Sequence, residues 1–373
     1  MGGGTVAVAD VGEFLGRARR AGLAVGWVAL AVREGEAGLC WCAGVRAVGG
    51  EAVEADLMYD LASLTKPLAT GTLLMLARRD GLDLETPLGV VMPELAASAW
   101  DSVTLAQCAT HTTGFPAWAP LYAGHGCTRE GYLESLRELV PVAPAGTRVV
   151  YSCPGFIALG LALERAAATD LGTLFAELVA EPLGLSGELA FAPAQGTPVA
   201  AGELRWFVEK GLLAERGIED APPAAAEGIV ACDDGNARGL GGVGGNAGLF
   251  GTAAAAARLA AEYLPGGGEL LTGEEAALAT TCRTEGLEQA RGIGWQLAPT
   301  PGCSAGPALA ASAFGHTGFS GTSVWIDPEA RTTFALFGNR LHPGGRTPDL
   351  HPMRRRFHAL ARWALDGAED RTP

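Results

Sequence analysis

Segments that read as strands lie near the two ends of this chain and are sparse between them, so any sheet must be assembled from residues far apart in sequence. Near the start, 26–32 and 38–42 flank the turn residues Arg33-Glu34-Gly35-Glu36, which predicts a hairpin. Near the end, 316–326 and 332–337 flank Asp327-Pro328-Glu329-Ala330, where Asp and Pro supply a turn mechanism. Residues 82–235 instead carry helical patterns at 102–109, 128–139, 154–168 and 171–183. Further helices are expected from Asp10, with Glu13 completing a capping box, through Arg19 and Arg20 to Gly22, and from Ser63 to Arg79, with Pro67 in the first turn and Gly81 beyond the end. A last one covers 353–365. The class is α+β, an antiparallel sheet flanked by N- and C-terminal helices with a mainly helical insert. On this division an α/β lobe comprises 1–81 and 236–373, a mainly helical lobe comprises 82–235, and the active site lies at their junction.

Composition removes several functions. A net charge of -14 argues against polyanion binding, which needs clustered cations; the one tight basic cluster, Arg354-Arg355-Arg356, reads as a solvated helix face. Nucleic acid is therefore not an expected partner. Hydrophobic residues at 48% against 18% charged describe a compact chain, not a disordered one. The cysteines at 40, 42, 108, 127, 153, 232, 282 and 303 form no Cys-x-x-Cys pair and no zinc spacing with histidine, so neither metal nor cofactor is expected, and the thiols read as reduced and mostly buried. The first residues lack a basic and apolar leader pattern, and no 18-residue apolar run occurs, so a cytoplasmic protein without a membrane partner is expected.

Ser63-Leu64-Thr65-Lys66 carries the chemistry. It puts one of only two lysines three residues after a serine, and on a helix residues three apart share a face, so Lys66 can reach the Ser63 hydroxyl. Tyr151 precedes the helical pattern that opens at Pro154 and would project from a loop tip, where its phenol can exchange protons with Ser63 beside the Lys66 charge. His316-Thr317-Gly318-Phe319-Ser320-Gly321 starts a strand with small residues along which a substrate backbone can lie. There His316, Thr317 and Gly318 are candidate binding residues, His316 as a donor partly charged near neutral pH, and the Phe319 N–H is available to an oxyanion.

These three elements, in this order, resemble the Ser-x-x-Lys, Tyr-x-Asn and Lys/His-Thr-Gly motifs of the serine β-lactamase and penicillin-binding-protein superfamily, and within it the class C β-lactamase-related branch of esterases, D-amino-acid peptidases and acyl transferases. Thr110-His111-Thr112-Thr113-Gly114-Phe115-Pro116, Ala145-Gly146-Thr147-Arg148 and Ala247-Gly248-Leu249-Phe250 resemble that branch too, over roughly residues 10 to 365. The resemblance implies a β-lactamase/transpeptidase-like fold and an acyl-enzyme on Ser63, with Lys66 and Tyr151 moving the proton and the N–H groups of Ser63 and Phe319 forming the oxyanion hole. The expected partner is a small-molecule acyl substrate.

The chain departs from that pattern at Cys153, where relatives carry Asn to bond the lysine and a substrate amide. A thiol does this poorly, which favours an ester. Cys232 and Asn246 stand where relatives often have histidine. His111 reads as a loop-fixing residue, and the Gly-x-Gly-x-x-Ala match within 241–251 reads as compositional, because no parallel strand precedes it. A carboxylesterase is the first expectation. The alternatives are a D-Ala carboxypeptidase or β-lactamase, a secondary-metabolite transacylase and, from another class, a noncatalytic ligand-binding relative. Activity that follows His316 protonation between about pH 5 and 8 is also expected.

Overall fold

The computed structural model describes residues 6–34 and 36–369. Among them, nine strands form in chain order: β1 (Gly26–Arg33), β2 (Leu39–Gly44), β3 (Tyr59–Asp60), β4 (Leu189–Phe191), β5 (Leu249–Gly251), β6 (Gln296–Leu297), β7 (Phe314–Thr317), β8 (Ser323–Asp327) and β9 (Thr332–Gly338). The main sheet runs β2-β1-β9-β8-β7-β6, and every pair in it is antiparallel. The two ends of the chain meet in its interior, because Ala29 stands opposite Trp41 on one side and Leu336 on the other.

Strand alternation sorts the side chains into two cores. Trp27, Ala29 and Ala31 of β1, Trp325 of β8 and Phe334 and Leu336 of β9 face one way. There they meet Val11 and Leu15 of helix α1 (Val6–Arg20) and Phe357 and Leu360 of the last helix. Val28, Leu30, Val324, Ile326, Ala335 and Phe337 face the other way, into a core shared with α2 (Thr72–Ala77), α3 (Cys153–Ala167) and α4 (Ala253–Ala260), of which α4 packs on the sheet. Burial on both faces explains why these strands are apolar throughout instead of alternating with polar residues. The last helix, α5, spans His351–Glu369. A second, small sheet in the order β3-β5-β4 draws its strands from three distant segments, so the 82–235 stretch contributes a strand as well as helices.

Local structure departs from the sequence expectations at identifiable points. The helix at the start extends upstream to Val6, which puts Asp10 inside it and removes the capping box there. The segment 316–326 is two strands, β7 and β8, joined by a tight turn in which Gly318 N donates to Thr322 O at 2.8 Å and Gly321 takes φ +117°. The Asp327 turn forms as expected, its carboxylate accepting from the N–H groups of Glu329 and Ala330. The helix after Ser63 is not uniform. A 3-10 turn (Ala62–Leu64) leads into a wide π turn (Lys66–Gly71) around Pro67, which lacks an N–H, before α2 begins. The 102–109 helix starts later, at Leu105, because Thr104 and Gln107 make a reciprocal capping box.

Two surface expectations are corrected. Arg354 is buried and donates to Thr322 O, and Arg355 donates to the Gly302 and Cys303 carbonyls, so two of the three arginines tie α5 to its neighbours and Arg356 alone is exposed. Of the eight free cysteines, Cys108, Cys232 and Cys303 are buried, while Cys40, Cys42 and Cys127 are exposed. No helix among the described residues is long and apolar enough to cross a membrane.

His358 on α5 packs near Trp325 and Phe334 and donates from Nδ1 to Ala305 O at 2.8 Å. Burial pushes its pKa down to about 4. The unfolded chain therefore binds this proton below about pH 6.5 while the folded chain refuses it, and stability falls as pH drops through that window. His358→Asn keeps a donor without the titration. In denaturant titrations at pH 7 and pH 4.5 the variant should lose less stability on acidification than the parent, by on the order of 2–3 kcal/mol.

Candidate active site

The local fold brings Ser63, Lys66, Tyr151 and Cys153 together at the head of a cleft of about 430 Å³. Ser63 lies within the 3-10 turn, behind Ala62, whose φ of +47° is unusual for a residue with a Cβ. Asp60 holds that turn. One carboxylate oxygen accepts from Ala62 N at 2.8 Å and the other from Asp233 N at 2.7 Å, and burial raises the Asp60 pKa to about 6.

Lys66 is fully buried. Its ammonium reaches Ser63 Oγ at 2.9 Å, the Asn246 carbonyl at 3.0 Å and Cys153 Sγ at 3.7 Å, and lies 5.0 Å from the centre of the Tyr151 ring. Burial works against the charge, but Cys153, Tyr151 and Asp234 outweigh it and lift the pKa above that of an ordinary lysine. The long contact to sulfur matches the weak bond expected of a thiol at 153, and burial raises that thiol's pKa, so it is not a ready nucleophile.

Tyr151 is pinned by His111. Val150 N donates to the His111 carbonyl at 2.9 Å and Ser152 N donates to His111 Nδ1 at 3.0 Å, one residue on each side of the tyrosine. The second bond requires an unprotonated Nδ1, and burial together with the charges of Arg291 and Lys66 keeps His111 neutral by lowering its pKa well below the usual value. His111 takes φ +61°, a conformation sustained by these bonds and by packing against Tyr151 and Phe156. The loop-fixing role expected of it is what the geometry displays.

The opposite wall comes from the β7–β8 turn. Thr317, Gly318 and Phe319 line the cleft, and the Phe319 N–H has no partner among the described residues. Ser320 Oγ donates to the Asp60 carbonyl at 2.5 Å and Thr322 Oγ1 to the Leu61 carbonyl at 3.2 Å, which staples this turn to the Ser63 turn. Gly318 is required at that seam, since a Cβ there would overlap the Thr322 hydroxyl and the Leu61 carbonyl. Gly318→Ala should therefore separate the walls. We expect a fall in kcat/KM of about a hundredfold or more with a stability loss of about 1–3 kcal/mol, read by steady-state kinetics beside thermal melting.

His316 is placed differently from expectation. It is buried, does not line the cleft, and donates from Nδ1 to Thr317 O. Burial and the nearby charges of Arg291 and Lys66 push its pKa well below the ordinary value, so it stays neutral and the expected titration between pH 5 and 8 is withdrawn. Sequence reasoning also missed Asn246 as a lysine partner, because its backbone carbonyl does the work. Its side chain donates to Asp234 at 3.1 Å. The glycine-dense stretch before it is a packing feature, since a Cβ on Gly245 would overlap the Phe156 carbonyl of α3.

Comparison with known proteins agrees with this architecture. A model of the Beta-lactamase family matches residues 9–356. A protein of Escherichia coli (strain K12) named "Putative D-alanyl-D-alanine carboxypeptidase" is 28% identical over 325 residues, covering 79% of this chain and 72% of the relative. Among solved structures, a penicillin-binding protein homolog from Caulobacter crescentus superposes with a TM-score of 0.71 at 22% identity, covering 98% of this chain and 99% of the other. EstCE1, a hydrolase with promiscuous acyltransferase activity, gives 0.71 at 20% identity over 95% of this chain and 99% of its own. With the family match running along nearly all of its length, the chain belongs to the beta-lactamase family and is a serine hydrolase of that family.

Proposed function

We propose that Ser63 is the nucleophile of an acyl-transfer reaction on a small ester. The observation that carries this is the 2.9 Å contact between Lys66 Nζ and Ser63 Oγ at the head of a cleft that also exposes Tyr151. Ser63 Oγ attacks the acyl carbon while its proton passes to the Lys66–Tyr151 pair, reacting in the form in which Lys66 is the ammonium and Tyr151 the phenolate, so that the Tyr151 oxygen takes the proton. The carbonyl oxygen of the tetrahedral intermediate takes hydrogen bonds from the Ser63 and Phe319 N–H groups. Collapse breaks the bond to the leaving alcohol, which takes the proton back from Tyr151. Water or another nucleophile then releases the acyl group from Ser63. Ala117, Trp118, Val208 and Leu212 give the cleft apolar walls suited to an acyl chain. Exposed free thiols at 40, 42 and 127 favour a reducing compartment such as the cytoplasm.

Cys153 supports the ester reading over an amide one, since its sulfur offers no amide-like donor and acceptor to a peptide bond. A second reading, a D-alanyl carboxypeptidase, is favoured by Arg340 and Arg354, which line the cleft and can take a substrate carboxylate. Rates on p-nitrophenyl esters of increasing chain length, on nitrocefin and on D-Ala-D-Ala peptides separate the two. Esters should be turned over fastest by the parent protein. Cys153→Asn should raise the peptide or nitrocefin rate relative to the ester rate by about tenfold, in line with one added polar contact. A parent protein that prefers the peptide would sink the ester assignment.

A further inference from the structure

Arg291 carries a charge where a charge is costly and no anion meets it. It is 5% exposed and sits on the segment leading into β6. Its Nε has no hydrogen-bond partner, and Nη2 donates at 2.5 Å to the neutral side chain of Gln289. No carboxylate is within ion-pair distance of it among the described residues, and the groups that favour its charge are Tyr151 and Cys303. A buried cation without a counter-ion destabilises a fold, so its placement calls for a group that becomes an anion during function. Its guanidinium carbon lies 5.9 Å from the centre of the Tyr151 ring.

We propose that Arg291 is a positioning residue of the acyl-transfer reaction, a second fixed cation beside Tyr151 that offsets the negative charge on its oxygen while the Ser63 proton is moved. The inference rests on the reading of Ser63, Lys66 and Tyr151 given above. Four groups from four separate segments surround the Tyr151 ring. Lys66 comes from the turn ahead of α2, His111 from the loop after Leu105–Ala109, His316 from β7 and Arg291 from the approach to β6. Cys153 and Asp234 lie beyond, against Lys66. Both imidazoles are kept neutral, by burial first and then by the nearby charges of Arg291 and Lys66. His316 therefore supplies no charge to the tyrosine, and Arg291 does. Burial lowers the Arg291 pKa to about 10, which leaves it charged across the working range. No bond forms to Arg291: the proton goes from Ser63 to the tyrosine oxygen and on to the leaving group, and the guanidinium keeps all of its protons.

The test compares the parent, Arg291→Met and Arg291→Lys by kcat/KM on an activated p-nitrophenyl ester from pH 5 to 9. Melting temperature and the mass of a fluorophosphonate adduct on Ser63 are followed in parallel. Arg291→Met should lower kcat/KM at pH 7 by about ten- to a hundredfold and move the acidic limb of the profile up by about one pH unit. Its melting temperature should be unchanged or higher, because a buried unpaired charge has gone. Arg291→Lys should return the limb close to its parental position. A limb that stays put in Arg291→Met, or one displaced equally in Arg291→Lys, overturns the proposal, and a lowered melting temperature with an unmoved limb makes Arg291 a structural residue. Should the Met variant not fold, Arg291→Gln takes its place with the same expectations. Absence of any adduct on the parent Ser63 sinks the nucleophile reading itself, whereas an adduct on Ser63 with an unmoved limb removes only the role of Arg291.

Discussion

Ser63→Ala should abolish turnover, with kcat reduced by about 10⁴-fold or more, and should remove the fluorophosphonate adduct while leaving the melting temperature within about 1 °C of the parent. The size of the loss follows from covalent catalysis. Without an oxygen at this position no acyl-enzyme forms, and what is left is transition-state binding by the N–H groups and the cleft, a residual worth about 10³–10⁴ over the uncatalysed reaction in comparable machinery. The small change in stability follows from the structure. The turn is held by Asp60, by Leu61 N on the Leu249 carbonyl and by the Ser320 and Thr322 hydroxyls, none of which involves the Ser63 side chain. Intact mass after labelling reads the first expectation and differential scanning calorimetry the second. An adduct that persists in Ser63→Ala would place the nucleophile elsewhere and remove the catalytic scheme.

Lys66→Met should lower kcat/KM by on the order of 10³-fold without a comparable loss of stability. The ammonium makes three contacts that a thioether cannot, to Ser63 Oγ, Asn246 O and Cys153 Sγ, and it carries the charge closest to Tyr151. For the fold the balance is different. Removing a fully buried charge recovers desolvation energy, and the methionine fills most of the same volume, so the cost is chiefly the unpaired Asn246 carbonyl at about 1–3 kcal/mol, offset by the recovered desolvation. Activity and urea denaturation measured on the same sample decide this. A variant that retains more than a tenth of the parental activity would mean that proton movement does not depend on Lys66.

The features that could be read from the sequence are those carried by side chains at fixed short spacing. Ser63 and Lys66 share a face whether the turn between them is 3-10 or α, so the pair was legible even though the helix that holds it was drawn too regular. Tyr151 and Cys153 were legible because Ser152 caps a helix with a clear apolar pattern, its hydroxyl accepting from Gly155 N. The β7–β8 turn was not, because glycine at 318 and 321 allows both an open strand and a tight turn, and only the close approach of the Leu61 carbonyl decides between them. His316 was misread for a related reason. Its charge state depends on burial and on Arg291 and Lys66, which arrive from other parts of the chain, and no local pattern announces them. The Asn246 contact runs through a backbone carbonyl, which every residue possesses and no sequence motif marks.

The pairing of β1 with β9 at the middle of the sheet has a consequence for how the protein is made. Residue 33 leaves the ribosome 299 residues ahead of its partner at 332, and at typical elongation rates the first hairpin waits roughly 15–60 s for the strand that completes it. During that interval Trp27, Val28, Ala29 and Leu30 have an open edge where β9 belongs. A chain released before β9 would display an unpaired apolar strand, and one released before residue 319 would lack the Phe319 N–H as well. Stop codons anywhere before β9 should therefore yield aggregate instead of a partly active fragment.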